Sequence, residues 1–363
     1  MITDIPTPFI AIDVDKMEKN IDRLADYARA HSIEQRPHIK THKLPQLAEK
    51  QIAAGAAGIT VAKVGELEVM VRAGLPNILL AYPVVTPYQR RRAAELARET
   101  DLTVALDHIE VAAGLSDAAN SAGSTVKILV EQDVGARRVG VQSSEAAQLL
   151  GQQIDRMPAL ELAGVAFYVG HIWVPPAEQV PMLQAIQNLL ADTRQRFSKS
   201  GLCCDVISGG STPTAYQSHF VDSCTEIRSG NYIFYDMNSA AAGICKVEDC
   251  ALRIYASVVS TAVPGQIVVD AGSKTLTSDL LVTNKAGGYG YLPHAPQARI
   301  TKLSEEHGQI DISGCDQQFK IAQRIAIIPN HACVAMNMQN QVHLVRRNEV
   351  LETLPVAARG MVV

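Results

Sequence analysis

Apolar positions follow two different periods along the first two thirds of the chain. An apolar run at 8–13 precedes a segment with helical spacing that ends at His31, and further pairs follow: a strand pattern at 58–61, a helix pattern at 64–73 and a strand pattern at 78–81. The pattern repeats every 25 to 30 residues or so, the spacing typical of β/α units, roughly one strand and one crossover helix each.

Eight strands are predicted in this part of the chain, counted from the segment that contains Lys40. The other seven are 58–61, 78–81, 102–106, 126–130, 164–168, 205–208 and 226–228. Eight parallel strands close a barrel whose active site lies at their carboxyl ends. The pattern therefore predicts an α/β fold with a (β/α)8 TIM barrel over residues 10–240.

The pattern changes after residue 240 to alternating β-branched runs such as 253–260, 265–270 and 342–347. No helical pattern is visible there. We therefore predict a second, mostly β domain over residues 241–363, which residues 1–9 join.

Composition narrows the class of protein. A chain of 363 residues with 47% hydrophobic and 19% charged residues fits one barrel plus a smaller domain, and a net charge of -4 offers no attraction to nucleic acid. No apolar run is long enough to cross a bilayer, and the first residues do not resemble a signal peptide. Seven cysteines without framework spacing indicate reduced thiols. We expect a cytoplasmic protein without a nucleic-acid or membrane partner.

The segment 36–43, Arg-Pro-His-Ile-Lys-Thr-His-Lys, concentrates candidate chemistry around Lys40. Neighbouring positive charge favours the neutral form of an amine, which can then attack a carbonyl and form a Schiff base. A solvated basic turn is the alternative, since charge runs normally face water. Pro37 and the expected place at the end of a strand favour the chemical interpretation.

Two small-residue loops follow the last two predicted strands. The first contains Gly209, Gly210 and Ser211, and the second contains Gly230, Asn231 and Tyr232. Small residues let backbone amides approach a phosphate, and barrels often bind phosphate with these two loops. Either loop alone could be a plain turn, but together they predict a phosphorylated ligand.

Two further clusters fall after predicted strands. Arg138, beside glycines, could donate hydrogen bonds to an anionic oxygen, although a surface turn explains it as often. Tyr168 and His171 could provide a hydrogen-bond partner and an acid or base, and a core histidine is the alternative.

A possible metal site lies near the C-terminal end of the sequence. His331 and Cys333 are two residues apart, which on a strand would turn both side chains to one face. This is half of a zinc site, with open positions that would suit catalysis. The pattern is weak by itself, because buried Cys and His are common without metal.

The motifs as a set resemble one family. They are Arg36-Pro-His-Ile-Lys-Thr-His-Lys43, Gly58-Ile-Thr-Val-Ala-Lys-Val-Gly-Glu66, Asp133-Val-Gly-(two)-Arg138-(one)-Gly140, Tyr168-(one)-Gly-His171, Asp270-Ala-Gly-(one)-Lys274, Glu305-Glu-His-Gly308 and Pro329-Asn-His-Ala-Cys333. This set is similar to that of the D-threonine aldolase and D-serine dehydratase family, metal-activated pyridoxal-phosphate enzymes with the alanine-racemase-like fold. The resemblance covers nearly the whole chain.

The resemblance implies roles for individual residues. Lys40 would hold the cofactor aldehyde and move the proton at the substrate Cα, and Arg138 would address the cofactor's phenolic oxygen. His331 and Cys333 would bind the divalent metal, zinc or else manganese or magnesium. The phosphate would be held by Gly209, Gly210, Gly230, Asn231 and Tyr232. The group that faces the pyridine nitrogen remains unassigned.

The resemblance also implies the activity, a lyase that acts on β-hydroxy-D-amino acids. Retro-aldol cleavage to glycine and an aldehyde, with His171 or a metal-bound water as the base, is our first hypothesis, because the stretch 58–85 looks more like the aldolases. The alternative is dehydration of D-serine or D-threo-3-hydroxyaspartate to an oxo acid and ammonia, which the thiol of Cys333 favours. A racemase and a non-catalytic pyridoxal-phosphate carrier are less favoured hypotheses. By analogy we expect a homodimer.

Overall fold

A computed structural model describes residues 1–363 and divides the chain into two compact units. Residues 1–22, 41–44 and 231–360 form what we call the β unit. Residues 23–40, 45–230 and 361–363 form the barrel unit. Both units are discontinuous in sequence. The domain boundary predicted between residues 240 and 241 stays a prediction.

The chain contains sixteen strands and ten α-helices. In chain order the strands are β1 (Phe9–Asp13), β2 (Glu34–Gln35), β3 (Ile59–Val61), β4 (Ile78–Leu80), β5 (Leu102–Leu106), β6 (Val126–Gln132), β7 (Leu160–Phe167), β8 (Val206–Gly209), β9 (Glu226–Ile227), β10 (Leu252–Ser260), β11 (Gln266–Val269), β12 (Arg299–Leu303), β13 (Gly308–Asp311), β14 (Arg324–Ile327), β15 (Gln341–Arg346) and β16 (Glu349–Pro355). The helices are α1 (Val14–Ala30), α2 (Pro45–Ala53), α3 (Val64–Arg72), α4 (Pro87–Leu96), α5 (Ile109–Ala122), α6 (Ser144–Ile154), α7 (Pro176–Lys199), α8 (Met237–Ala241), α9 (Ser273–Leu276) and α10 (Ala332–Met338). None of these helices combines the length and the apolar composition that a membrane span requires.

The barrel unit is built on eight parallel strands in the order β2-β9-β8-β7-β6-β5-β4-β3. A bridge between His38 and Thr60 joins the chain after β2 to β3, and the amide of Thr60 donates to the carbonyl of Pro37 at 2.8 Å. The strands are almost wholly buried, as expected where helices cover a parallel sheet. The predicted eight-stranded TIM-like barrel is confirmed.

Lys40 does not lie on a barrel strand, and that prediction is wrong. The first barrel strand, β2, has only two residues, and Lys40 occupies a short 3-10 turn over Ile39–Thr41. Pro37 lies between them and has no N–H group to continue a strand ladder. Lys40 therefore lies in the loop after a strand, on the side of the barrel where such folds carry their active sites.

The β unit contains a mixed sheet in the order β12-β13-β11-β10-β1-β15-β16, with β14 also paired to β10. Strand β1 is antiparallel to β10 and parallel to β15. Three short helices, α8, α9 and α10, also belong to the β unit, although no helical pattern is visible there in the sequence. These helices have five, four and seven residues, which is too short for a helical period to be visible in the sequence.

A buried ion pair links the two sides of the barrel closure. Arg36 follows β2, and its Nε donates to Oε2 of Glu226 on β9 at 2.7 Å. Its Nη1 donates to the carbonyl of Asn77, just before β4, at 2.9 Å. The second oxygen of Glu226 accepts from the hydroxyl of Ser208 at 2.6 Å, so both oxygens of this carboxylate accept a hydrogen bond.

We expect Glu226→Ala to lower the free energy of unfolding by about 3–5 kcal/mol, because it leaves the Arg36 cation buried without a counterion. Urea denaturation followed by circular dichroism measures this value. Asp192→Ala is the matched control, since it removes the carboxylate from an exposed pair with Arg196 and should change stability little. Equal losses in the two variants would contradict this role of the buried pair.

Candidate cofactor and metal sites

The backbone of Lys40 is fixed by His38 in the barrel unit. The amide of Lys40 donates to Nδ1 of His38 at 3.4 Å, and the amide of His38 donates to the carbonyl of Ser229 at 3.2 Å. Burial, with the charges of Lys40, Arg228 and Arg138, holds the pKa of His38 well below its usual value. The imidazole is therefore neutral and can accept at Nδ1.

Arg228, which sequence reasoning missed, places a second cation at the strand ends. Its guanidinium donates to the carbonyls of Ser208 at 2.6 Å and Phe167 at 2.9 Å, and its amide donates to the carbonyl of Gly209 at 2.8 Å. It is buried, with 8% of its surface exposed. The available signal was an arginine at the end of the last predicted strand, directly before the Ser-Gly-Asn loop.

The two predicted phosphate loops are joined within the barrel unit. The hydroxyl of Ser229 donates to the carbonyl of Ser211 at 3.0 Å, which links the loop after β9 to the loop after β8. Gly210 has a φ of 89°, a conformation that glycine adopts far more readily than other residues. The segment that contains Gly209, Gly210 and Ser211 thus lies next to the segment that leads into Gly230.

The remaining two predicted phosphate residues, Asn231 and Tyr232, belong to the β unit. The side-chain amide of Asn231 donates to Oδ2 of Asp236 at 2.7 Å, while its Oδ1 is buried without a hydrogen-bond partner. The same Asp236 oxygen accepts from the amide of Ala332 at 3.0 Å. One buried carboxylate oxygen therefore connects a predicted phosphate residue to the segment between His331 and Cys333.

Arg138 and Tyr168 contact each other, which their sequence motifs did not predict. The guanidinium carbon of Arg138 lies 4.3 Å from the centre of the Tyr168 ring, a cation–π contact. Arg138 also lines a small cavity together with Asp107 and Glu131. Burial raises the pKa of Glu131, although Arg228 and Arg138 act in the opposite direction. Glu131 is a further candidate that the sequence analysis missed, because it lies within the apolar pattern of β6.

His171 lies at the surface of the barrel unit beside the loop that carries Arg138. A Cβ atom on Gly135 would lie only 3.0 Å from Nε2 of His171, so the ring packs closely over that glycine. This position excludes a core histidine. The role of His171 as an acid or base stays a prediction.

His331 and Cys333 are not on a strand, so that part of the prediction is wrong. His331 immediately precedes α10 and Cys333 lies in its first turn. Their side chains nevertheless interact. Burial lowers the pKa of His331, but Cys333, Asp236 and Asp279 outweigh it and raise this pKa to about 10. The hydroxyl of Thr41 lies 3.3 Å from the Cys333 sulfur.

The His331 and Cys333 pair fits a divalent ion in its chemistry. Imidazole nitrogen and thiolate sulfur are preferred zinc ligands, and the surrounding anionic groups attract positive charge. No group of three or more His, Cys, Asp or Glu side chains converges on one point in the chain. The assignment of His331 and Cys333 as metal ligands stays a prediction.

Two family models match the chain in consecutive segments. Residues 12–238 match the alanine racemase N-terminal domain, and residues 251–345 match the putative serine dehydratase domain. The chain belongs to the alanine racemase N-terminal domain family. The second match covers the segment that contains His331 and Cys333.

Individual relatives match over almost the full length. The chain is 31% identical to the D-threo-3-hydroxyaspartate dehydratase of Delftia sp. (strain HT23), over 91% of each protein. The crystal structure of D-threonine aldolase from Filomicrobium marinum is 31% identical, with a TM-score of 0.92 over 99% of this chain and 97% of that one. A cysteine-to-alanine mutant of D-threo-3-hydroxyaspartate dehydratase in the metal-free form is 27% identical, with a TM-score of 0.89 over 98% of both chains. The predicted family resemblance is confirmed.

The pKa of His38 makes stability depend on pH. An unfolded His38 binds a proton below about pH 6.5, whereas the native imidazole with its lowered pKa does not. The native state therefore loses stability as the pH falls from 7 to 5. We expect His38→Asn, which keeps a side-chain acceptor, to reduce this loss in urea denaturation at several pH values. His294→Asn, at an exposed histidine, should keep the wild-type slope; an unchanged slope in His38→Asn would contradict the assignment.

Proposed function

We propose that this chain is a lyase that uses pyridoxal phosphate and a divalent metal ion to cleave β-hydroxy-D-amino acids of the D-threonine type into glycine and an aldehyde. The observation that carries the proposal is the combination of a full-length similarity to D-threonine aldolases with the His331 and Cys333 pair. An alanine racemase has no need of that pair.

The barrel unit supports the cofactor part of the proposal. Lys40 supplies a primary amine beside a neutral His38, and Arg138 and Arg228 add cationic charge. The joined loops that contain Gly210 and Ser211 can present backbone amides to a phosphate. Pyridoxal phosphate, when bound, supplies an electron sink for negative charge that develops at the substrate Cα.

The residues of this chain then have distinct tasks. The amine of Lys40 holds the cofactor aldehyde before the substrate arrives and afterwards holds or moves the proton at Cα. His331 and Cys333 hold the metal ion, whose Lewis acidity favours loss of the proton from a β-hydroxyl group. His171 is our candidate for the base that accepts that proton.

D-serine or D-threo-3-hydroxyaspartate dehydratase activity is the second candidate. The thiol of Cys333 favours it, because a soft sulfur ligand selects zinc over manganese or magnesium, and the Delftia relative is a dehydratase. In this reaction Lys40 removes the Cα proton and the β-hydroxyl group leaves. The homodimer expected by analogy stays a prediction for either activity.

The products decide between the two activities. We expect the protein, incubated with pyridoxal phosphate and zinc or manganese, to convert D-threonine to glycine and acetaldehyde, and Lys40→Ala to form no product because it lacks the amine. Lys199→Ala, at an exposed lysine, is the control and should retain activity. An oxo acid and ammonia from D-serine or D-threo-3-hydroxyaspartate, without glycine, would favour the dehydratase instead.

Removal of the metal ligands tests the second half of the proposal. We expect His331→Ala and Cys333→Ala to lose tightly bound zinc, measured by competition with a chromophoric chelator, and to lose turnover with it. Cys315→Ala removes a thiol elsewhere in the β unit and should bind zinc as the wild type does. Wild-type zinc content in Cys333→Ala would contradict the assignment of the sulfur ligand.

A further inference from the structure

Asp279 contacts the imidazole of His331 in the β unit. The His331 Nδ1 group donates to Oδ2 of Asp279 at 2.7 Å, and both side chains are about 40% exposed. With the Nδ1 proton held by Asp279, Nε2 is the nitrogen that can exchange its proton for a metal ion. This is the tautomer in which a histidine binds a metal ion through Nε2.

The backbone of Asp279 is fixed close to His331 by the residue that precedes that histidine. The side-chain amide of Asn330 donates to the carbonyls of Asp279 at 3.0 Å and of Gly288 at 2.8 Å. Asn330 is buried, with 1% of its surface exposed. The loop that carries Asp279 and the segment that carries His331 are therefore held together by two bonds from one enclosed side chain.

The chain before Asp279 is also constrained. The amide of Asp279 donates to the hydroxyl of Thr277 at 3.0 Å, and Thr277 has a φ of 70°, which is uncommon for a β-branched residue. On the other side, the amide of Val282 donates to Oδ1 of Asn238 at 2.8 Å. The backbone that presents the carboxylate is thus fixed before, at and after Asp279.

His331 is fixed from the opposite direction as well. The amide of Ala332 donates to the buried carboxylate of Asp236, and the amide of Asn238 donates to the carbonyl of Asn330 at 3.2 Å. These two bonds hold the main chain on either side of His331, and the hydrogen bond to Asp279 orients its ring.

We propose that Asp279 is a positioning residue for the metal ion, which sets the tautomer and the ring orientation of His331. The proposal rests on the metal site in the proposed function and adds a residue to it. Carboxylates that accept from a metal-binding histidine typically contribute about 10- to 100-fold to metal affinity. A merely structural ion pair would instead affect the stability of the metal-free protein and leave metal affinity unchanged.

The test is the dissociation constant of zinc, measured by competition with a chromophoric chelator in a series of variants at Asp279. We expect Asp279→Ala to bind zinc about 10- to 100-fold more weakly than the wild type. Asp279→Asn should lie between them, because its amide oxygen can accept from Nδ1 without a charge. Asp279→Glu should recover part of the affinity.

A spectroscopic signature and a matched control complete the experiment. Cobalt(II) in place of zinc gives absorption bands that depend on ligand geometry, and we expect these bands to change in Asp279→Ala. Asp316→Asn removes an exposed carboxylate from the same unit and should leave both the affinity and the bands unchanged. Circular dichroism of the metal-free variants checks that they are folded.

The outcomes separate this inference from the proposed function. Wild-type zinc affinity in a folded Asp279→Ala protein would overturn the positioning role and leave the metal site intact. Zinc binding that is unaffected by both Cys333→Ala and His331→Ala would overturn the metal site, and the role of Asp279 with it.

Discussion

Closure of the barrel unit depends on the hydrogen bonds that pair the buried guanidinium of Arg36. A buried guanidinium is costly unless its donors are paired, and here Glu226 on the last strand and the Asn77 carbonyl before β4 accept from it. Gly58 is part of the same constraint, since a Cβ atom there would lie 2.1 Å from the Asn77 carbonyl oxygen and 2.8 Å from Nη1 of Arg36. The barrel closure thus fixes the chain four residues before Lys40.

The cations of the segment 36–43 therefore have different partners in the fold. Arg36 is neutralised by Glu226, and Nζ of Lys43 lies 3.4 Å from the Ala358 carbonyl in the β unit. Lys40 lies in the barrel unit, in the loop after β2, and takes no part in the pair between Arg36 and Glu226. The sequence shows a cluster of like charges, whereas the fold gives its members separate surroundings.

The two candidate sites have opposite electrostatic character. Burial, and then the charges of Lys40, Arg228 and Arg138, lower the pKa of His38, and these positive charges suit an anionic group. Around His331, by contrast, neighbouring anions attract positive charge, which suits a metal ion.

The order of β/α units, and with it the barrel, could be predicted because apolar strand runs alternate with helical patterns at a regular spacing. Asp279 could not, since it lies 52 residues from His331 on a loop, and loops carry no periodicity. Strand β2 and helix α10 were missed because each is too short to show its period.

The pairing of β1 has a consequence for synthesis of the chain. Phe9 in β1 lies opposite Tyr255 of β10, and Ala11 lies beside His343 of β15. At a translation rate of about 5–20 residues per second, β1 waits on the order of tens of seconds for β15 to be made. All the strands of the barrel unit, which end at Ile227, are available well before then. Until β15 has been made, the edge of β1 that will pair with it has unpaired backbone groups, which other strands can bind.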